Sequence, residues 1–148
     1  MSNAIEIPFE TTLLVRDTCL CLHVQRAARA LARRFDEALR PLGLTNGQFS
    51  LMMSLNRPEP APMGPVATLL AIDQTTLTAA LKPLERRGWV NIVPNPKDRR
   101  ARLLSLTPSG RAMLAAAVPI WKATHAALEE RLPDGNGDRL RSDLAALL

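Results

Sequence analysis

The chain has no tyrosine and only three phenylalanines, two tryptophans, two cysteines and two histidines. So few aromatics beside abundant leucine and alanine argue against large sheets and for a core built by helix packing. No apolar run approaches the ~18 residues that a membrane span requires. The N-terminus also lacks a basic stretch followed by an apolar one, since Glu6 and Glu10 interrupt it. No membrane partner and no signal peptide are therefore expected, and a cytoplasmic location is. Cys19 and Cys21 stand two apart in a helical pattern and so point to different sides, which opposes a bridge between them and suits a reducing compartment. Absent as well are a P-loop, a dinucleotide glycine motif, a nucleophile elbow and a zinc-protease helix, so neither an enzyme nor a cofactor is expected. Cys19 and His23 have the four-residue spacing of metal ligands, but two ligands do not make a site. His125 lies on a distant apolar stripe and reads as a packed interface residue, so no metal is expected.

What is present suits one domain with a real core: 148 residues, 47% hydrophobic and 22% charged. The net charge of +5 is uneven. Residues 45–107 carry eight Lys/Arg against four Asp/Glu, and the remainder eleven against ten. A basic excess in the middle of the chain is what contact with an anionic polymer requires, although many solvated surfaces show a similar bias.

Apolar residues at three- and four-residue steps (Leu20, Val24, Ala27, Leu31, Phe35, Ala38) predict one long helix over 12–40, ended by Pro41-Leu42-Gly43. Thr45 and Gln48 form a capping box for a second helix, about 45–56, stopped by Arg57-Pro58-Glu59-Pro60. A short third helix covers about 65–71. Asp73 caps a fourth, 74–87, closed by Gly88, with Leu77, Leu81 and Leu84 on its apolar side and Pro83 expected to kink it. The period then becomes alternating and predicts a hairpin, about 89–93 and 102–106, with a long charged tip. Thr107-Pro108 starts a fifth helix reaching about Leu132, which Pro119 should bend or divide, and 138–147 reads as a final short helix.

The fold class that follows is mainly α with a small β wing, a winged helix-turn-helix between N- and C-terminal helices. Such a unit sets one helix in the major groove of double-stranded DNA. Gln74, Thr75, Thr76 and Thr78 are short polar side chains suited to base edges, and Lys82, one turn on, reaches for a phosphate. The wing offers Lys97, Arg99, Arg100 and Arg102 as a phosphate or minor-groove probe. Asp98 among them makes sense as an acceptor for Arg100 or for the turn backbone, holding the arginine extended. Taken alone, the same run also reads as a solvated turn.

The runs Asp73-Gln74-Thr75-Thr76-Leu77-Thr78, Leu84-Glu85-Arg86-Arg87-Gly88-Trp89-Val90 and Asp98-Arg99-Arg100-Ala101-Arg102-Leu103-Leu104-Ser105-Leu106-Thr107 resemble the MarR (multiple antibiotic resistance regulator) family, from about Leu13 to Leu132. The resemblance implies one domain over 1–148: a winged lobe at 45–107, and dimerisation helices at 12–40 and 108–148. It implies a homodimer on a pseudo-palindromic operator, acting as a repressor released by a small phenolic or anionic effector or by thiol oxidation. It places Gln74, Thr75, Thr76, Thr78 and Lys82 in the major groove and Arg100, positioned by Asp98, in the minor groove. Pro83 departs from the family pattern and bears on the reach of Lys82, while Ala79 and Ala80 offer no long polar contact.

For sensing, the resemblance implies a pocket between dimer layer and lobe, lined by His23, Arg26, Phe49, Met52 and Trp121, with Arg26 as carboxylate anchor. Cys21 lies near the reactive thiol of peroxide-sensing members, but tyrosines that support that thiolate are replaced at what look like Phe35 and Asn46. A small buried apolar cysteine is the competing reading. Two other classes stay open against the specific regulator. An architectural DNA binder would show little base readout and steep salt dependence, and an interaction module would have lost DNA binding, which the intact wing arginines oppose.

Overall fold

The computed structural model describes residues 4–148. The chain divides into two units, one reaching to Arg34 and the other Phe35–Leu148. Its elements are α1 (Phe9–Thr18), α2 (Leu20–Leu39), a 3-10 turn (Arg40–Leu42), α3 (Asn46–Ser54), β1 (Ala61–Pro62), α4 (Met63–Leu70), α5 (Gln74–Arg86), β2 (Val90–Asn95), β3 (Asp98–Leu106), α6 (Pro108–Glu129) and α7 (Asp138–Ala145). This is the mainly helical winged fold expected, and no described helix is long and apolar enough to cross a membrane.

Several expectations need correction. The single helix over 12–40 is two, because Cys19 adopts an extended backbone (φ −67°, ψ 107°). The thiol of Cys19 then accepts the Leu22 N–H at 3.4 Å, standing in for a capping oxygen at the new helix start. No proline or glycine marks this break. Pro119 does not divide its helix, which is continuous from Pro108 to Glu129, and Pro83 likewise lies inside a continuous α5. Pro83 has no N–H for the turn before it, but its own carbonyl still accepts Arg87 N at 3.1 Å, so the last turn closes. The hairpin strands are longer than expected and the tip shorter, with only Pro96 and Lys97 between them. Asn95 Oδ1 accepts Lys97 N and Asp98 Oδ1 accepts Arg100 N, each at 3.0 Å, so side chains satisfy backbone N–H groups at the tip. The strand β1 was not expected. Two residues carry no period, and β1 exists through its antiparallel pairing with Leu103 and Leu104, giving the order β1-β3-β2.

One apolar core fills the second unit. Leu39, Leu44, Met52, Leu55, Val66, Leu77, Leu81, Leu84, Val90, Leu104, Leu106, Leu114 and Ala117 are all buried in it. The capping box at the start of α3 is formed as expected, Thr45 Oγ1 accepting Gln48 N and Gln48 Oε1 accepting Thr45 N. A second acceptor adds to it: Asp36 Oδ1 takes both the backbone N–H and the side-chain amide of Asn46, at 2.7 and 2.8 Å. These bonds hold the Asp36 carboxyl below its ordinary pKa, since only the ionised form accepts both fully.

Candidate nucleic-acid interface

The turn between α4 and α5 is tight. Ala71, the residue after α4, takes the left-handed conformation (φ 54°), unusual for a residue with a side chain. Asp73 then caps α5 by accepting Thr76 N at 2.7 Å, and this bond lowers its carboxyl pKa. Leu77, Leu81 and Leu84 anchor one side of α5 in the core. Because α-helical positions three and four apart share a face, the residues between them turn outward. Gln74, Thr75, Thr76, Thr78 and Lys82 are accordingly all exposed. Thr78 Oγ1 donates to Gln74 O at 2.8 Å, so its only proton is engaged and it offers the outside a lone pair and a methyl group.

The wing follows from the same core. Leu104 and Leu106 are buried beside Val90, which fixes the pairing register of β2 and β3. Toward the tip that register shifts. Pro94 faces Arg102 and Asn95 faces Asp98, so Arg99, Arg100 and Ala101 stand outside the ladder as a bulge. Lys97, Asp98, Arg99, Arg100 and Arg102 are exposed, and none of the four cations has an ion-pair partner among the described residues. Asp98 is bonded to the backbone N–H of Arg100, which sets the conformation from which that side chain projects.

The helix and the wing are joined by contacts that the sequence pattern does not signal. Gly88 turns the chain in the left-handed region (φ 74°), and its carbonyl accepts Thr107 Oγ1 at 2.6 Å. Thr107 Oγ1 also accepts Gly110 N, capping α6 at 2.9 Å. A side chain at Gly110 would begin 2.1 Å from the Trp89 carbonyl oxygen, so only glycine allows α6 to pass this close. Arg87 donates from Nη1 to Gly43 O at 2.6 Å and lies 4.8 Å from the centre of the Trp89 ring.

The residues expected to hold an effector do not form one described set. His23 and Arg26 line a shallow cleft along α2 with Ala27, Arg29, Ala30 and Arg33. Phe49 and Trp121 line a cleft of about 590 Å³ in the second unit with Ser50, Met53, Leu69, Val118 and Lys122. Their ring centroids lie 6.2 Å apart, and His125 stacks on Trp121 at 4.7 Å. Met52 is fully buried in the core, where Met53 beside it is exposed to the cleft. Cys21 is exposed, which corrects the buried-cysteine reading, because it lies on an outer side of α2 where Gln25 Nε2 donates to it at 3.1 Å. His23 Nδ1 pairs with the Cys19 carbonyl at 2.8 Å rather than with its thiol. No three His, Cys, Asp or Glu side chains converge among the described residues.

Comparison with known proteins follows the same lines. The MarR family model matches residues 44–101. The transcriptional activatory protein BadR of Rhodopseudomonas palustris is 34% identical over 95 residues, covering 62% of this chain and 54% of BadR. The multiple antibiotic resistance protein MarR of Escherichia coli is 35% identical over 81 residues, covering 55% of this chain and 56% of its own. The chain thus spans about half the length of the curated relatives it matches. Among solved structures, the M. tuberculosis transcriptional regulator MosR in complex with DNA aligns with a TM-score of 0.80 at 36% identity, over 88% of this chain and 93% of MosR. A MarR variant from E. coli complexed with operator DNA aligns with a TM-score of 0.80 at 26% identity, over 92% and 98%.

Proposed function

This chain belongs to the MarR family, and from that premise we propose that it is a sequence-specific DNA-binding transcriptional regulator. In this reading it is a homodimeric repressor that holds a pseudo-palindromic operator until a small ligand releases it. One observation carries the reading. A single lobe with its own core presents both a capped helix with outward Gln74, Thr75, Thr76 and Thr78, and a wing with exposed, unpaired Lys97, Arg99, Arg100 and Arg102. Polar groups at a helix start read base edges, and arginines beyond a hairpin tip suit the narrow groove and its phosphates. Lys82 is the phosphate contact on the helix, and Asp98 shapes the approach of Arg100.

The dimer reading draws on the terminal helices, which keep apolar side chains in water: Phe9, Leu14, Leu20 and Leu31 near the N-terminus and Leu140 and Leu144 near the C-terminus. A second copy of the chain would bury them. For the effector, the cleft beside Trp121 offers flat apolar walls with Lys122 at hand, a combination that fits an aromatic anion. A second reading, release by thiol oxidation, is favoured by the exposure of Cys21. Changing both cysteines to Ser and finding unchanged release by peroxide removes it.

The test is fluorescence anisotropy on the protein's own upstream DNA and a scrambled duplex across a salt series. A preference of about a thousandfold is expected for the specific site. Arg100→Ala should weaken binding about tenfold and reduce the salt slope by about one, with an unchanged melting temperature. Equal, salt-steep binding to both duplexes would overturn the reading in favour of an architectural binder. BadR is by name an activator, so the sign of regulation needs its own measurement: transcription from the bound promoter rises on deletion of a repressor and falls on deletion of an activator.

A further inference from the structure

The lobe at residues 45–107 carries eight Lys and Arg side chains. Among those described cations, Arg87 alone donates a side-chain hydrogen bond within the chain. The contact is short, 2.6 Å, and charge-assisted, from Nη1 to the carbonyl oxygen of Gly43, 44 residues earlier. The guanidinium also lies 4.8 Å from the centre of the Trp89 ring, at the foot of the wing. Both contacts sit where three segments meet: the turn that follows α2, the residue that caps the C-terminal end of α5, and the residue just before β2 of the wing.

The surroundings explain why one residue can govern this junction. Gly43 is left-handed (φ 71°) and closes the 3-10 turn by donating to Arg40 O, so its own carbonyl is left for a partner from elsewhere. Arg87 is the C-cap of α5, where a cation also answers the negative end of the helix. Trp89 N is bonded to Leu84 O and Gly88 O to Thr107 Oγ1, so the backbone beyond α5 is fixed on the wing side. Arg87 supplies the matching tie on the other side. Without it, the C-terminal end of α5 is held by Leu84 and the wing but not to the Gly43 turn.

We propose that Arg87 is a positioning residue for DNA readout: its clamp between Gly43 O and the Trp89 ring sets the pitch of α5 against the turn that follows α2. The proposal rests on the DNA-reading function above. It separates Arg87 from the phosphate contacts that its charge and neighbourhood would suggest. A planar guanidinium can stack on the indole while its edge donates to the carbonyl. An ammonium is a compact point charge and cannot hold both at once, so lysine keeps the charge and loses the clamp.

The experiment uses a duplex selected by the wild-type protein from a random pool, and a scrambled duplex of the same composition. Affinities are measured across a salt series for wild type, Arg87→Lys, Arg87→Ala, Trp89→Phe and Arg100→Ala, with melting curves for each. Arg87→Lys should lose about tenfold on the selected duplex, keep its affinity for the scrambled one and keep the wild-type salt slope. Arg100→Ala should lower the slope by about one. A merely structural role would lower both affinities in parallel as folded protein is lost, which the melting curves would report. Should Arg87→Ala melt too low to assay, Arg87→Lys and Trp89→Phe carry the test. Wild-type binding by Arg87→Lys, or a slope lowered by about one in Arg87→Ala, overturns the proposal. If wild type selects no duplex at all, the DNA reading itself fails and the proposal with it.

Discussion

The helix α5 and the helix α2 carry the same kind of sequence signal, an apolar stripe at three- and four-residue steps, and meet opposite fates. In α5 the stripe Leu77, Leu81 and Leu84 is at most 1% exposed. In α2 Leu20 is 67% exposed, Val24 38% and Leu31 42%, and Leu39, at its very end, is the one buried residue. The terminal α7 follows α2: none of its residues is buried, and Leu140 and Leu144 face solvent. An amphipathic period states that a face needs cover. It does not state whether the same chain supplies that cover. The lobe supplies its own through α3, α4, α6 and the sheet, while the terminal helices wait for something else. Under the proposed dimer, the stability of the ends depends on concentration and that of the lobe does not.

The strongest way to break this comparison is to open the lobe's core. Leu84→Ala, at a fully buried site, should cost about 2–5 kcal/mol in denaturant unfolding. A cost under about 1 kcal/mol would show that the lobe does not rely on its own packing. Next comes Gly110→Ala, whose new methyl would collide with the Trp89 backbone. Pushing α6 off the foot of the wing should cost about 1–3 kcal/mol and weaken DNA binding in step, readable from melting and anisotropy together.

On the other side of the comparison, changing Leu20 and Leu31 to Ser should leave the lobe's stability at high dilution within about 0.5 kcal/mol. The same change should raise the dimer dissociation constant at least tenfold, measured by sedimentation at several concentrations. A lobe destabilised by that double change would erase the distinction.

The smallest expected effect concerns Asp36. Its carboxyl titrates below the ordinary 3.8 because Asn46 donates to it twice, so the stabilisation is whole above that value and is lost as pH falls through the lowered one. Acid unfolding of Asp36→Ala should therefore lack that component, and at neutral pH the variant should lose about 1 kcal/mol, as for a missing helix cap. Identical acid profiles would show that the Asp36 pair adds nothing.

Much of the lobe could be read in advance because its signals are local. Thr45 with Gln48, Asp73 before α5, Thr107-Pro108 before α6 and Gly88 after α5 each act within a few residues of themselves, and all hold in the structure. Gln74, Thr75, Thr76, Thr78 and the wing cations were legible for the same reason, being the polar remainder once the leucine stripe is placed. Local signals also misled. Pro119 pointed to a division of α6 and the helix runs through it, and Pro94 and Asn95 read as part of a turn where strand pairing continues. Cys19 gave no warning of the break it makes, since nothing about a cysteine excludes it from a helix. The residues expected to hold an effector were the least legible. Phe49 and Met52 are three apart on α3 and both are buried in the core, yet only Phe49 also borders the cleft, a distinction that spacing cannot make.

By itself the sequence determined where α3, α5 and α6 start, which stripe of each helix is apolar, and that a polar helix and a basic hairpin lie in succession. Those features follow from backbone hydrogen bonding and side-chain period over a turn or two. Only the tertiary structure decided that Arg87 reaches Gly43, that Asp36 caps the helix beginning at Asn46, that β1 exists through β3, and that Gly110 must be glycine because Trp89 lies against it. Each of these depends on segments distant in the chain meeting within a few ångströms. No local period encodes such a meeting, which is fixed when the leucines of the lobe close on one core.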